Sequence, residues 1–166
     1  MCGICGAIGL EDEEVLDDMS ACQRHRGPNS TGTHFDDGVM LANQRLSIID
    51  VDGGDQPIYN EEGDIVVVYN GEIYNFQALR RELENRGHEF TTQSDTEVLV
   101  HGYEEYGKSI FERLNGMFAV ALYDASRSRL LLARDRAGIK PLYVAPLDEE
   151  FLFASEPKSI LRSGRV

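Results

Sequence analysis

Short runs of apolar residues, bounded by glycine, proline or acidic turns, alternate along the chain with longer amphipathic segments. The run from Ile65 to Tyr69 is apolar and almost entirely β-branched, which predicts a central strand buried on both faces. Asp36-Asp37-Gly38 and Glu61-Glu62-Gly63 separate such runs and predict two hairpins. Strands are predicted over residues 4–10, 33–35, 39–47, 57–60, 64–70, 117–123, 129–134, 141–144 and 150–154.

Apolar residues at helical spacing mark the amphipathic segments. In residues 75–86, Leu79 and Leu83 face inward, with Asn75 as the N-cap and Gly87 as the C-terminal stop. Many strands with helices inserted among them indicate the α+β class, in which helices cover a core of packed sheets. Further helices are predicted over residues 11–23, 94–106, 109–114 and 155–162.

Composition limits the classes of function. With 166 residues the chain is expected to form one domain, and its net charge of −13 argues against nucleic acid or an anionic membrane as a partner. Only three of the 16 basic residues are lysines, and this acidic, arginine-using balance favours salt adaptation as a hypothesis. No run of about 18 apolar residues or secretory signal is present, and three cysteines suit a reducing compartment, so a cytoplasmic location is expected.

A cysteine stands directly behind the initiator methionine. Methionine aminopeptidase trims Met1 when the second residue is small, so the processed chain is expected to begin at Cys2. That residue would then carry both a thiol and a free α-amine, which together form a nucleophile and its base. An α-amine titrates near pH ~8 and is substantially neutral at working pH. The alternative is that Cys2 is simply the second residue of an ordinary chain.

Asn70-Gly71-Glu72 follows the predicted central strand, where we expect a loop. An Asn side-chain amide and a Gly backbone N–H are two neutral donors that can face an oxygen becoming negative during attack on an amide. The alternative is an ordinary Asn-Gly turn. The turn is disfavoured because the predicted helix at Asn75, and no returning strand, comes next.

Arg45 and Asp95 offer one cation and one anion, which suits an α-amino acid substrate. Taken alone, Asp95 reads better as a helix cap, and Arg45 is equally compatible with a surface ion pair. The spacing Cys2-x-x-Cys5 matches metal and redox sites, but a structural zinc needs four ligands, and only Cys22 and scattered histidines remain. We therefore predict no metal and expect Cys5 to be a small buried residue of the first strand.

These residues together resemble the class II glutamine amidotransferases. Met1-Cys2-Gly3-Ile4, Asn70-Gly71-Glu72 and Ser94-Asp95-Thr96-Glu97 are similar to blocks of that family and stand in the same order. Within the family, Gln44-Arg45-Leu46-Ser47 and Phe153-Ala154-Ser155-Glu156 resemble the glutaminase domain of glutamine-hydrolysing asparagine synthetases. Asn43 departs from that pattern, which often has His there. The resemblance implies a four-layer αββα N-terminal nucleophile sandwich of mainly antiparallel sheets.

The resemblance also implies roles for individual residues. Cys2 would be the nucleophile and its α-amine the base, with the Asn70 side chain and Gly71 N–H as the oxyanion hole. L-glutamine would be held by three further types of contact: Arg45 at its α-carboxylate, Glu72 and Asp95 at its α-amine, and backbone near Ile48 and Ile49 along the pocket. No cofactor or metal is implied for this domain.

The same resemblance predicts that residues 1–166 are a glutaminase domain incomplete at its C-terminus. Ammonia would pass to a synthetase domain, covalent or on a separate chain, which uses ATP and Mg to convert aspartate to asparagine. A homodimer is one assembly to consider. Three alternatives stay open: another class II amidotransferase, a non-catalytic regulatory or binding module if Met1 is retained, and a CxxC metal or redox protein.

Overall fold

The computed structural model describes residues 1–51 and 53–166, and the predicted alternation of strands and helices is present throughout them. The strands are β1 (Gly3–Ile8), β2 (Ser30–Asp36), β3 (Val39–Arg45), β4 (Ile58–Tyr59), β5 (Ile65–Ile73), β6 (Gly116–Asp124), β7 (Arg129–Arg134), β8 (Tyr143–Pro146) and β9 (Phe151–Ala154). The helices are α1 (Glu13–Ala21), α2 (Phe76–Glu84), α3 (Glu97–Tyr106), α4 (Ile110–Arg113) and α5 (Pro157–Arg162), with short 3₁₀ turns at Gly107–Ser109 and Ala125–Arg127.

The strands form two antiparallel sheets. One has the order β2-β3-β1-β9-β8, which places the first strand of the chain at its centre. The other has the order β4-β5-β6-β7 and is built around the long pairing of β5 with β6, from Ile65 opposite Asp124 to Ile73 opposite Gly116. Both predicted hairpins are confirmed, since β2 pairs with β3 and β4 pairs with β5.

Three apolar cores separate four layers. The inter-sheet core includes Ile4, Leu41, Val68, Ala121 and Phe153, all completely or almost completely buried. A second core lies between the first sheet and helices α1 and α5, and a third between the second sheet and helices α2, α3 and α4. Because successive side chains of a strand face opposite sides, β5 contributes Val66 and Val68 to one core and Val67 and Tyr69 to another. The four-layer αββα prediction is confirmed.

One prediction about β5 is wrong. Asn70, Gly71 and Glu72 belong to the strand and do not form a loop after it, because β6 continues to pair with them as far as Ile73. Gly71 permits the close approach of β6, since a Cβ there would lie 2.3 Å from the Met117 carbonyl oxygen and 2.8 Å from the Phe118 Cα. The glycine is thus a packing requirement of the sheet and not a turn residue.

Two expected helix caps also differ. Asn75 stands at the N-cap position of α2, but its side chain accepts from Asn115 N and donates to the Arg113 carbonyl, which ties the strand exit to α4. Helix α3 begins at Glu97, so Asp95 precedes it and does not cap it. The expectation that Cys5 is buried is confirmed, with 1% of its surface exposed. Among the described residues, no helix has the length and apolar character needed to cross a membrane.

Candidate active site

The ends of both sheets meet around a pocket of about 180 Å³ beside the N-terminus. Residue 2 stands just before β1, position 45 closes β3, and the last third of β5 runs along the opposite wall. This pocket brings together every residue that the sequence singled out for chemistry, namely Cys2, Arg45, Ile48, Ile49, Asn70, Gly71, Glu72 and Asp95. Residues separated by up to 93 positions therefore share one cavity.

The Cys2 thiol lies at the end of β3. Its Sγ accepts from the Leu46 N–H at 3.4 Å and lies 3.8 Å from the Leu46 carbonyl oxygen. The Cys2 carbonyl accepts from Arg26 Nε at 3.0 Å, and the Met1 α-amine donates to the Arg26 carbonyl at 3.2 Å. Contacts on both sides of the residue thus hold the Cys2 backbone and direct the sulfur toward the pocket.

Glu156 holds the Arg26 side chain in place through an ion pair. Its carboxylate accepts from Arg26 Nη1 at 2.9 Å and from His25 Nε2 at 3.0 Å, and Lys158 Nζ lies 2.9 Å away. Burial alone would raise the pKa of Glu156, but the hydrogen bonds from Lys158, Arg26 and His25 outweigh it and lower the pKa to about 2. Glu156 therefore stays ionised at neutral pH and fixes the arginine that holds Cys2.

Asn70 carries the least satisfied polar group of the pocket. The residue is 1% exposed, and its Nδ2 is buried without a hydrogen-bond partner. Its position in β5 places it on the same face as Val66 and Val68, toward the sheet whose central strand β1 begins directly after Cys2. A buried donor without an acceptor costs about 1–3 kcal/mol of folding free energy, so its presence in a pocket points to a ligand oxygen.

The Gly71 N–H is the second donor at this position. In β5 the Tyr69 N–H donates to Gln56 Oε1 at 2.6 Å and the Ile73 N–H to Asp95 Oδ2 at 2.9 Å, both on the edge away from β6. Alternate residues of a strand direct their N–H groups to the same edge, so the Gly71 N–H points there too. Its partner in register, Phe118, has both backbone groups bonded to Asp135 instead.

Asp95 is fixed by β5 and not by the helix it precedes. One carboxylate oxygen, Oδ2, accepts from the Tyr69 hydroxyl at 2.8 Å and from the Ile73 N–H. Burial raises the pKa of Asp95 above its usual value, although these hydrogen bonds oppose the shift. Burial and the neighbouring Asp95 carboxylate also raise the pKa of Tyr69, so its hydroxyl remains a donor.

Arg45 organises the loop that follows it. The side chain is 5% exposed and pairs with Asp55 at 2.8 Å. Its Nη atoms also donate to three backbone carbonyls, those of Ile49, Asp50 and Val51. The surface ion pair weighed from the sequence is therefore present, but the guanidinium is buried and also lines the pocket. Ile48 is exposed at the pocket wall, and Glu72 lies exposed at the far end of β5.

Gln56 was missed as a site residue. Its side-chain oxygen accepts from both Tyr69 N and Asn43 Nδ2, and Asn43 Nδ2 also donates to the Tyr69 carbonyl at 3.2 Å. The two side chains thus bridge the two sheets beside Asn70. Only the fold reveals that Gln56 accepts a hydrogen bond from the backbone N–H of Tyr69, at the strand edge next to the pocket. Lys140, which is 5% exposed, also lines the pocket.

Comparison with known proteins places the chain in a family. The family of the glutamine amidotransferase domain matches residues 1–166. The chain is 44% identical to asparagine synthetase [glutamine-hydrolyzing] 2 of Bacillus subtilis and 44% identical to asparagine synthetase [glutamine-hydrolyzing] 3 of Arabidopsis thaliana, in each case over 96% of this chain. It spans only 22% and 28% of the length of those two relatives.

Solved structures share the fold. Glutamine phosphoribosylpyrophosphate amidotransferase from B. subtilis superposes with a TM-score of 0.82 at 21% identity, over 98% of this chain and 44% of that one. The structure of the allosteric regulatory enzyme of purine biosynthesis gives the same TM-score at 22% identity, over 98% of this chain and 43% of that one. At these identities the likeness bears on the fold alone.

Proposed function

This chain belongs to the glutamine amidotransferase domain family, and we propose that it hydrolyses the side-chain amide of L-glutamine to glutamate and ammonia at Cys2. The observation that carries the proposal is the unpartnered Nδ2 of Asn70, buried in the pocket that Cys2 also lines. A carboxamide attacked by sulfur develops a negative oxygen, which needs preorganised donors of this kind.

The reaction begins at the thiol. Cys2 Sγ attacks the side-chain carbonyl carbon of glutamine, and the thiol proton passes to the Cys2 α-amine. The oxygen becomes negative and accepts from Asn70 Nδ2 and the Gly71 N–H. The tetrahedral species collapses as the amine returns the proton to the leaving nitrogen, and ammonia departs. Water then hydrolyses the γ-glutamyl thioester, which releases glutamate and restores the thiol.

The α-amine of Cys2 is free only after Met1 is removed. In the unprocessed chain, burial lowers the pKa of the Met1 α-amine. The charge of Cys2 raises this pKa, whereas the charges of Arg26 and Lys140 lower it further. After processing, the Cys2 amine would face the same two cations, since Arg26 Nε donates to the Cys2 carbonyl and Lys140 lines the same pocket. A lowered pKa keeps the amine neutral, and therefore basic, at pH 7.

Substrate orientation follows from the charged groups. The free oxygen of Asp95 and the exposed Glu72 would receive the α-ammonium of glutamine. Arg45 would bind the α-carboxylate of glutamine by giving up one of its hydrogen bonds to a backbone carbonyl. The new hydrogen bond would join two charged groups and would therefore be stronger than the one it replaces. Backbone near Ile48 and Ile49, on the loop that Arg45 holds, would line the side of the substrate.

The ammonia acceptor would bind to a synthetase domain, either covalently attached or on a separate chain. We propose aspartate, activated with ATP and Mg by a synthetase domain, since the curated relatives are named as glutamine-hydrolysing asparagine synthetases. Another acceptor of the class II amidotransferases is the second candidate, and the gene sequence after residue 166 separates the two. A cytoplasmic location and a homodimer remain predictions, the first supported by three free cysteines.

The test is glutamine-dependent release of glutamate and ammonia by the purified chain, with intact mass measured on the same sample. Cys2→Ala should abolish release, whereas Cys22→Ala, which changes a half-buried cysteine outside the pocket, should retain it. Activity in Cys2→Ala would reject the nucleophile. A chain that keeps Met1 and is inactive would favour a regulatory module, and a Met1-retaining chain that turns over would reject the α-amine as base.

A further inference from the structure

A second cluster of functional side chains lies on the outer helix layer, away from Cys2. Glu61 comes from the turn between β4 and β5, His88 from the connection after α2, and His101 and Glu104 from one face of α3. Each brings one ligand atom to within 4.8 Å of the other three. We propose that these four residues bind a divalent transition metal ion, with Zn²⁺ as the best match.

The spacing of the converging atoms suits a tetrahedral ion. His101 Nδ1 lies 3.0 Å from Glu104 Oε2 and 3.4 Å from Glu61 Oε2, and His88 Nδ1 lies 3.4 Å from Glu104 Oε2. Four ligands at about 2.0–2.1 Å from a tetrahedral zinc are about 3.3 Å from one another. Imidazole nitrogen with carboxylate oxygen is a donor set that zinc and its neighbours in the first transition row accept.

The opposite atom of three of the four ligands is also hydrogen-bonded, which orients these ligands inward. Glu61 Oε1 accepts from the Glu89 N–H at 3.1 Å, and Glu104 Oε1 accepts from Asn60 Nδ2 at 2.8 Å. His88 Nε2 lies 3.2 Å from Glu105 Oε1. Metal-bound side chains typically have such outer partners, because the partners fix both the tautomer and the ring orientation.

His101 is the most buried of the four ligands. The residue is 1% exposed, and its Nε2 has no hydrogen-bond partner but faces Glu97 Oε1 at 3.7 Å. Glu97 is itself 1% exposed and accepts four hydrogen bonds of 2.7–2.9 Å from the N–H and hydroxyl groups of Thr91 and Thr92. A proton on Nε2 toward this fixed carboxylate leaves the Nδ1 lone pair for the ion.

The local charge favours a cation. Four glutamates surround two imidazoles, and one guanidinium, that of Arg86, pairs with the outermost of them at Glu105. A single Nδ1 proton on His101 cannot serve both Glu61 and Glu104, which both approach that nitrogen. A bound ion would satisfy all four atoms at once and join the β4–β5 turn, the α2–α3 connection and helix α3.

The experiment uses the full chain freed of metal with EDTA, with ZnCl₂ as the probe. We expect one equivalent to bind by calorimetry and Tm to rise by about 5–10 °C at a Zn²⁺ concentration 100 times Kd. His88→Gln and Glu104→Gln each remove one ligand at a partly exposed position, where folding should survive. Each should weaken binding beyond the ~10- to 100-fold that loss of an outer partner costs. His25→Gln, with a 54% exposed side chain outside the cluster, is the matched control and should bind as the parent does.

Thiol binding is a competing outcome, because three cysteines are free. Co²⁺ separates the two, since a thiolate ligand adds an intense sulfur-to-metal charge-transfer band that nitrogen and oxygen ligands lack. A tetrahedral cobalt spectrum without that band supports the proposal. Three results would overturn it: a cobalt spectrum with the sulfur band, binding that is unchanged in His88→Gln and Glu104→Gln, or no binding at all. In the last case the cluster is an ion-paired group of imidazolium and carboxylate.

Discussion

Replacing Asn70 with alanine separates the needs of catalysis from those of folding. The Asn70 amide is buried, but its Nδ2 donates to no acceptor in residues 1–51 and 53–166. The folded state therefore bears the free-energy cost of desolvating this donor, and no hydrogen bond compensates for it. The transition state of the proposed reaction, by contrast, offers it a negative oxygen. We expect Asn70→Ala to lose activity while keeping its stability.

The magnitudes differ enough to be measured. Loss of one oxyanion donor lowers kcat about 100- to 1000-fold, which corresponds to ~2.7–4 kcal/mol of transition-state stabilisation. Removing an unsatisfied buried group relieves about 1–3 kcal/mol of desolvation cost, and the lost packing of a small side chain cancels part of that gain. The net change in unfolding free energy should then lie between zero and about +2 kcal/mol, so Tm should stay constant or rise by a few degrees.

Asn43 supplies the matched control. It is equally buried and lies on the facing strand, and its Oδ1 has no hydrogen-bond partner among the described residues, but its Nδ2 makes two hydrogen bonds, to Gln56 Oε1 and the Tyr69 carbonyl. Asn43→Ala should therefore lower the unfolding free energy by about 1–3 kcal/mol. Stability is followed by thermal and urea unfolding, and activity by glutamate release at saturating glutamine. If Asn70→Ala is as destabilised as Asn43→Ala, or keeps more than a tenth of wild-type kcat, the oxyanion assignment fails.

Two further predictions concern charged groups of the site. Asp95→Asn can keep the hydrogen bonds from Tyr69 and Ile73 through its amide oxygen, so Tm should hold while the KM for glutamine rises at least tenfold. Because burial raises the pKa of Asp95, the wild-type KM should also rise as the pH falls toward that pKa. A flat pH profile of KM in the wild type, together with an unchanged KM in the variant, would remove Asp95 from substrate binding. Glu156 has a folded pKa of about 2, so its stabilisation is complete above its unfolded pKa of about 4.3 and is lost as the pH falls toward 2. Wild type should exceed Glu156→Gln in stability by up to about 3 kcal/mol at pH 7, and a gap that persists in unfolding curves at pH 2 would contradict this reading.

Strand and helix positions could be predicted where the side-chain pattern determines burial. The run Ile65–Tyr69 is apolar at every position, and the structure buries both of its faces between two cores. The end of that strand could not be predicted, because Asn70, Gly71 and Glu72 have low strand propensity. Pairing with β6 overrides that preference, and the pairing depends on residues more than 40 positions away.

The contacts of the candidate site residues could not be predicted from the sequence. The eight residues share one pocket, yet Asp95 was better explained from sequence as a helix cap. Its real partners, Tyr69 and Ile73, lie on another element, and no local pattern reports such a contact. The Glu61, His88, His101 and Glu104 cluster was invisible for the same reason, since only the last two residues have a spacing that marks a common helix face.

The placement of Asn70 and Gly71 inside a strand has a direct bearing on catalysis. In a strand, the side chain of one residue projects perpendicular to the sheet, while the N–H of the next lies in the sheet plane at its edge. Two consecutive residues can therefore direct two donors from different directions toward one atom. Pairing with β6 and the hydrogen bonds of the Tyr69 and Ile73 N–H groups hold the backbone that carries both proposed donors before substrate arrives. A loop with the same two residues would have to order itself during the reaction, whereas donors held in this way need no reorganisation as the charge develops.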